Sequence, residues 1–228
     1  MSIDSRLISI GTLAAHPLWN EKGQVRTGHA TTMLISAGDT HILVNPSLPA
    51  PALLARISER TSLQPEDITH IFLTSFQADQ RRALRAFDMA IWLLYEAERQ
   101  SMEETFQTQI AEAEDGDDEE LVALIEAESE LLTRCEVAPD SLAPGVDLFP
   151  LPGVTPGTCG LLLAQPNMTT LICGDAVATS EHLEQGKVLP NCVSIEQAQE
   201  SFRDAIEIAD VIVPGRDNIL LNPLRPYL

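Results

Sequence analysis

The sequence predicts a single α/β domain over residues 1–228. Three observations carry that expectation. Short runs rich in branched aliphatic residues open and close the chain, as strands do. Two segments of helical periodicity separate those runs. The hydrophobic fraction is 44% and the charged fraction 21%, enough apolar matter for a core and ordinary for a folded soluble chain.

Taken in order, residues 7–10, 32–36 and 41–45 read as strands, with Gly38-Asp39 as a hairpin turn between the second and third. Pro46 and Pro49 break the third, and residues 51–60 follow as a helix with Leu53, Leu54 and Ile57 on one face. Pro65-Glu66-Asp67 punctuates before a strand at 68–74. Tyr95, Met102, Phe106, Ile110 and Ala113 then follow a helical stripe, interrupted by the acidic turn 115–118. Leu121, Leu124, Ile125, Glu128 and Leu132 continue the spacing with one polar exception, so residues 95–135 form a helical hairpin. Its apolar stripe is expected either to pack on the main domain or to serve as a lid or a homo-oligomer contact. Strands return at 146–149, 159–164 and 169–173, with Asn167-Met168 at the turn between the last two. Residues 194–208 form a helix with Ser194 as N-cap and Gln197 at the third helical position. Its apolar face is Ala198, Phe202, Ala205, Ile206 and Ala209, and residues 211–213 are a last strand.

The chain carries 14 Lys and Arg against 34 Asp and Glu, a formal net charge of −20. Nucleic acids and anionic membranes are polyanions that need cationic patches, so neither is an expected partner. Much of the acidic excess lies in residues 96–136. Cys135, Cys159, Cys173 and Cys192 have neither zinc-knuckle nor redox-pair spacing. Cys159 and Cys173 sit in apolar runs and read as small buried hydrophobes. The first residues lack a basic region followed by a long apolar run, and no apolar stretch reaches spanning length, so a cytoplasmic setting is expected.

The specific signals are five short segments. Residues 68–74 are an apolar strand, and the run Thr74-Ser75-Phe76-Gln77-Ala78-Asp79-Gln80 follows it. Leu151-Pro-Gly-Val-Thr-Pro-Gly-Thr-Cys-Gly160, Leu171-Ile-Cys-Gly-Asp175 and Val213-Pro-Gly-Arg216 come later, and His41-Ile-Leu-Val-Asn45-Pro lies upstream. In this order they resemble the metallo-β-lactamase superfamily. Its strand-end loop reads Thr-His-x-His-x-Asp-His, and its later segments read Pro-Gly-His-Thr-Pro-Gly, Gly-Asp and Pro-Gly-His. The resemblance covers most of the chain from about Thr31 to Asn218. It implies a four-layer αβ/βα sandwich with a site on loops at one edge of the sheets.

The same resemblance shows what has changed. Ser75, Gln77 and Gln80 stand where the first three histidines would be, Val154 replaces the next and Arg216 the last. Asp79 is kept, and Asp175 matches the family's metal-bridging carboxylate. Catalytic zinc needs about three good protein ligands plus an open position. Valine offers none, and the arginine cation is never a practical ligand. Zinc is therefore not expected, and no other cofactor is. Arg216 is expected to act as counterion for Asp79 and Asp175, the alternative being that it points to solvent. His16, His29, His41, His70 and His182 are scattered, with His29 and His182 the ones most able to approach the site from loops. Ser75 as a nucleophile lacks a visible base. Asp79 and Asp175 as an acid–base pair compete with a purely structural role.

Three functions follow as expectations. The first is a non-catalytic member, a pseudoenzyme serving as a ligand-binding, regulatory or assembly module whose former cleft takes an unknown small molecule. The second is a hydrolase of esters, thioesters or amides using an oxygen-rich set around Asp79, Asp175 and the glutamine carbonyls, suited to magnesium, calcium or manganese. The third is a structural role through hairpin-mediated dimerisation at residues 95–135. The first is preferred.

Overall fold

A computed structural model describes residues 3–225, so the ends of the expected domain, residues 1, 2 and 226–228, lie outside the described residues. Strands β1 (Ile3–Ser9), β2 (Thr32–Ala37) and β3 (Thr40–Val44) are followed by helix α1 (Ala50–Arg60). Strands β4 (His70–Leu73) and β5 (Ile91–Leu94) lead into helices α2 (Glu96–Asp115) and α3 (Glu119–Thr133). Then come β6 (Glu136–Val137), β7 (Ser141–Ala143), β8 (Val146–Pro150), β9 (Cys159–Gln165) and β10 (Met168–Gly174). Helices α4 (Ser180–Gln185) and α5 (Ile195–Ile208) and strands β11 (Val211–Pro214) and β12 (Leu220–Leu221) complete it.

The strands form two six-stranded sheets, ordered β1-β2-β3-β4-β5-β6 and β12-β11-β10-β9-β8-β7. In the first, β1 to β3 run antiparallel and β3 to β6 parallel. In the second, β7 to β10 are antiparallel and β10 pairs with β11 in parallel.

Strand periodicity explains the layers. Side chains alternate between sheet faces. In the first sheet Ile35, Ile42, Val44, Phe72 and Leu93 face the second sheet, where Val146, Leu161, Leu163 and Ile172 meet them. Their neighbours Leu34, Leu43, Ile71 and Leu94 point the other way, onto Leu53 and Ile57 of α1 and onto Phe106, Ile125 and Leu132 of the hairpin. On the far side of the second sheet Leu171, Cys173 and Ile212 pack on Phe202 and Ala205 of α5. Helix, sheet, sheet, helix is the αβ/βα sandwich. Strands buried on both faces need unbroken apolar runs, which is why β4 and β5 read as His-Ile-Phe-Leu and Ile-Trp-Leu-Leu.

Local signals set the helices. Leu53 and Ile57, one turn apart, bury α1. Ser194 caps α5 by accepting the Gln197 N–H, and Asp118 caps α3 by accepting the Leu121 N–H at 3.0 Å. Between α2 and α3 the turn places Asp117 at φ 51°, a conformation aspartate tolerates.

Several boundaries differ from the sequence expectation. The turn before β10 is Pro166-Asn167, because Met168 pairs with Gln165 and belongs to the strand. The hairpin stripe is narrower than its spacing suggests. Phe106, Ala113, Ile125 and Leu132 are buried, whereas Leu121 and Leu124 are 43% and 62% exposed. Leu124 precedes Ile125 by one residue and so points roughly 100° away from it. Leu121 sits in the first turn of α3, at the hairpin tip. Tyr95 is the α2 N-cap and packs with the inter-sheet core instead of the hairpin stripe. The cysteines are free, and Cys135, Cys159 and Cys173 are buried. Burial pushes the Cys135 thiol up to about 11 and that of Cys159 to about 12. Among the described residues no helix is long and apolar enough to cross a membrane.

Candidate functional site

The loops that leave β4, β8, β10 and β11 meet at one edge of the sandwich. Asn45, at the end of β3, anchors the first of them. Its φ of 50° is one asparagine accepts, and its side-chain oxygen receives the Thr74 N–H at 2.9 Å. Its amide donates to Thr74 Oγ1 at 2.9 Å. Thr74 Oγ1 in turn donates to Gln80 Oε1 at 3.0 Å, and the Ser75 N–H donates to the same oxygen at 3.1 Å. These two donors fix the orientation of the Gln80 amide, so its Nε2 is the end that reaches Asp175 Oδ2, at 3.2 Å.

Arg216 lies between the two aspartates. Its Nε donates to Asp175 Oδ1 at 2.8 Å and its Nη2 to Asp175 Oδ2 at 2.7 Å, a two-point contact. Nη1 donates to Asp79 Oδ2, and Nη2 also reaches Asp79 Oδ1 at 3.2 Å and Gln77 Oε1 at 3.3 Å. The backbone holds this position, because the Gly215 and Arg216 N–H groups donate to Val177 and Ala178 carbonyls at 3.0 and 2.8 Å. A Cβ at Gly215 would come within 2.4 Å of Asp175 Oδ1, so only glycine lets that carboxylate pass. Burial opposes the charge on Arg216, but Asp175 and then Asp79 outweigh it and raise its pKa above the ordinary value.

Gln77, Asp79, Val154, Asp175 and Arg216 all line one cavity of about 430 Å3. Gln80 lies behind its floor, bonded to Asp175. Ser75 is buried beneath and does not line the cavity, and its hydroxyl has no partner among the described residues. Val154 is part of an apolar wall with Ala178 and Leu189. More of the lining comes from residues 13–24, a segment without helical or strand periodicity in the sequence, whose Leu13 packs against the Val154 cluster. Glu21 braces that segment by pairing with Arg26 and accepting the His16 N–H at 2.6 Å. The Arg26 hydrogen bond, followed by the one from His16, holds the Glu21 carboxyl below its usual range.

His29 does not approach the site; its ring nitrogens contact the Ile10 carbonyl at 3.0 Å and the Thr27 carbonyl at 3.4 Å. His182 instead meets His16, with ring centroids 5.3 Å apart. Thr179 Oγ1 donates to Glu181 Oε2 at 2.8 Å and lies within hydrogen-bond distance of His182 Nδ1, at 2.8 Å, and His16 Nε2, at 3.1 Å. This latch holds the residue 13–24 wall against α4. Burial and then the nearby His16 lower the His182 pKa to about 4, so the ring is neutral near pH 7. His41 and His70 contact Ser36 and Thr69 and lie outside the cavity.

A second buried carboxylate, missed in the sequence, holds two site loops together. Glu98, in the first turn of α2 and 1% exposed, accepts the Phe76 N–H at 2.8 Å and the Gly157 N–H at 3.2 Å. Thr155 Oγ1 donates to it at 2.5 Å. A Cβ at Gly157 would lie 1.9 Å from the Glu98 nitrogen, so the close approach requires glycine there. Burial raises the Glu98 pKa, and these donors only partly offset it. The signal was present in the spacing: Glu98 falls three residues after Tyr95 and four before Met102, inside the apolar stripe. The hairpin also grips the loop through Arg81, which pairs with Glu128 and lies 4.0 Å over the Phe76 ring.

The donor set does not fit a divalent metal as it stands. The position between the carboxylates holds a guanidinium, Gln80 turns its NH2 group toward Asp175, and Val154 has no donor atom. Among the described residues no group of three or more His, Cys, Asp or Glu side chains is arranged to hold a metal ion.

Comparison with known proteins places this geometry in a family. Many solved structures share the fold, among them the following three. A metallo-beta-lactamase candidate from Thermotoga maritima has 18% identity and a TM-score of 0.69, over 97% of this chain and 100% of that one. A hydrolase of the beta lactamase superfamily has 15% identity and a TM-score of 0.66, over 99% and 95%. An N-acyl homoserine lactone hydrolase, with product bound at its catalytic metal centre, has 17% identity and a TM-score of 0.59, over 90% and 87%. No curated protein matches the chain in sequence. Residues 25–216 match the family model described as the metallo-beta-lactamase superfamily, and the chain belongs to that superfamily.

Proposed function

We propose that the chain is a metal-independent, non-catalytic member of its superfamily that binds a small molecule in the retained cleft. One observation carries the reading: Arg216 bonds both Asp79 and Asp175 at the base of the cavity. A hydrolase of this superfamily would need a cation there that activates water. A guanidinium supplies the charge but has no open coordination position and cannot lower the pKa of a bound water as a metal does. The cavity, about 430 Å3, falls in the range of small-molecule sites and is lined by apolar and polar residues in equal share. Cofactors are absent from this reading, zinc included.

A second reading, residual hydrolysis with an oxygen-rich metal set, draws support from the fold shared with a lactone hydrolase. It requires Arg216 to swing out and Gln80 to break three hydrogen bonds. The two readings part in a turnover assay on lactone, thioester and ester substrates with zinc, magnesium, calcium or manganese added. We expect the native chain to match its own Asp175→Ala variant in every condition. Metal-dependent turnover that disappears in Asp175→Ala would overturn the non-catalytic reading.

A further inference from the structure

We propose that the cleft takes ligands that end in a protonated amine or a similar cationic donor, and that the Asp79 carboxylate receives that group. The inference rests on the metal-free reading and adds the ligand class.

An arginine in a pocket ordinarily suggests an anionic ligand. Here the charges point the other way. Two carboxylates against one guanidinium leave the floor with a net negative charge. All three guanidinium nitrogens already donate, to Asp175, Asp79 and Gln77, and the side chain is only 4% exposed. An incoming carboxylate or phosphate would find little free N–H and would face both aspartates.

The two carboxylates differ in availability. Asp175 is buried, and its oxygens receive Arg216 and Gln80. Asp79 lines the cavity with its side chain 31% exposed. Its oxygens each take one hydrogen bond from Arg216, which leaves lone pairs on both. The Gln77 carbonyl lies beside it, also bonded to Arg216. A donor that reaches the floor therefore meets acceptors, and a cation is favoured over a neutral donor because the ionised acceptor strengthens the bond. Leu13, Pro17, Val154, Leu189 and Pro190 give the walls apolar patches that suit a hydrocarbon body behind the charged end, between the polar Glu21, Gln24 and Asn191. The chain's net charge of −20 adds a field that gathers cations and repels anions.

The test uses three probes of one shape, hexylamine, hexanol and hexanoate, titrated into the full chain at neutral pH with binding followed by calorimetry and ligand-observed NMR. We expect hexylamine to bind about tenfold or more tightly than hexanol, and hexanoate most weakly. Asp79→Asn should erase the amine's advantage and leave hexanol unchanged, which also shows that the variant is folded. Ala15→Trp, which fills the cavity from its wall, should abolish binding of all three. The inference is overturned if hexanoate equals or exceeds hexylamine, if none of the probes binds, or if Ala15→Trp still binds the amine. Zinc analysis of the same sample separates the two levels. Metal-free protein that prefers hexanoate refutes the ligand class alone, whereas stoichiometric zinc refutes the metal-free reading beneath it.

Discussion

The molecule buries two carboxylates near its site and neutralises them by opposite means. Asp175 faces a full cation, Arg216, which touches both of its oxygens. Glu98 faces none of the chain's arginines; two backbone N–H groups and one hydroxyl solvate it instead. A buried cation–carboxylate pair makes each partner dependent on the other. Dipoles solvate a carboxylate less completely, so burial still raises the Glu98 pKa. In the proposed reading the first arrangement supplies the charge at the floor of the cleft. The second is a clamp between the hairpin and two loops. Charge replacement and dipole solvation should therefore fail differently when broken.

The largest effect is expected at the first. Arg216→Ala leaves Asp175 buried without its cation, with only the Gln80 amide as a donor, and should lower unfolding free energy by about 3–5 kcal/mol, measured by urea titration. If charge pairing is the cause, Arg216→Met combined with Asp175→Asn should recover most of that loss. A double variant no more stable than Arg216→Ala would show that shape, not charge, fixes the floor.

Glu98→Ala comes next. It strips the acceptor from three donors, two of them in separate site loops, and should cost about 1–3 kcal/mol. Amide hydrogen exchange should quicken at Phe76 and Gly157 before it does in the sheets; uniform quickening would mean general loosening and not a clamp.

The pH dependence sets Glu98 apart from the His182 latch. Because the folded-state pKa of Glu98 is raised above 4.5, the folded chain binds that proton more tightly than the unfolded one. Its contribution is fully present below 4.5 and is lost as pH rises through the folded value. Glu98→Gln should flatten the stability curve across that window. His182 has the opposite sign. Its pKa falls from 6.5 to about 4, so the unfolded chain binds the proton more tightly and stability declines as pH drops between those values. His182→Asn should remove that decline. Unchanged curves in both variants would remove the linkage assigned to each group.

The smallest effect is expected at the outer end of the clamp. Glu128 pairs with Arg81 but its side chain is 42% exposed, so Glu128→Ala should cost less than about 1 kcal/mol in the same urea titrations. A larger loss would mean that the hairpin holds the loop mainly through this pair and not through Glu98.

These regions also differ in how far the sequence disclosed them. Arg216, Asp79 and Asp175 were legible because each follows a strand end with its own short motif, and Arg216 stood out as a cation in a ligand position. The strand alternation that builds the layers was legible for the same local reason. Glu98 was legible only as a position inside the stripe; its role was hidden, since one carboxylate there looks like a solvated helix position until its partners on distant loops are known. The His16–Thr179–His182 latch was invisible because it joins an unpatterned segment to α4, a helix of 6 residues, too short to show periodicity. Orientation was the other hidden element. The sequence offered Gln80 as an oxygen donor, and the hydrogen bonds from Thr74 and Ser75 turn its amide nitrogen toward Asp175 instead.

The central claim is that Arg216 stands in for the metal charge. Its most direct test is to saturate the purified chain with zinc, remove free metal by gel filtration, and measure zinc per chain by mass spectrometry. The account predicts no stoichiometric zinc in the native protein and none in Arg216→Lys, which keeps the cation. Stoichiometric zinc in the native protein, lost on Asp175→Ala, would contradict it.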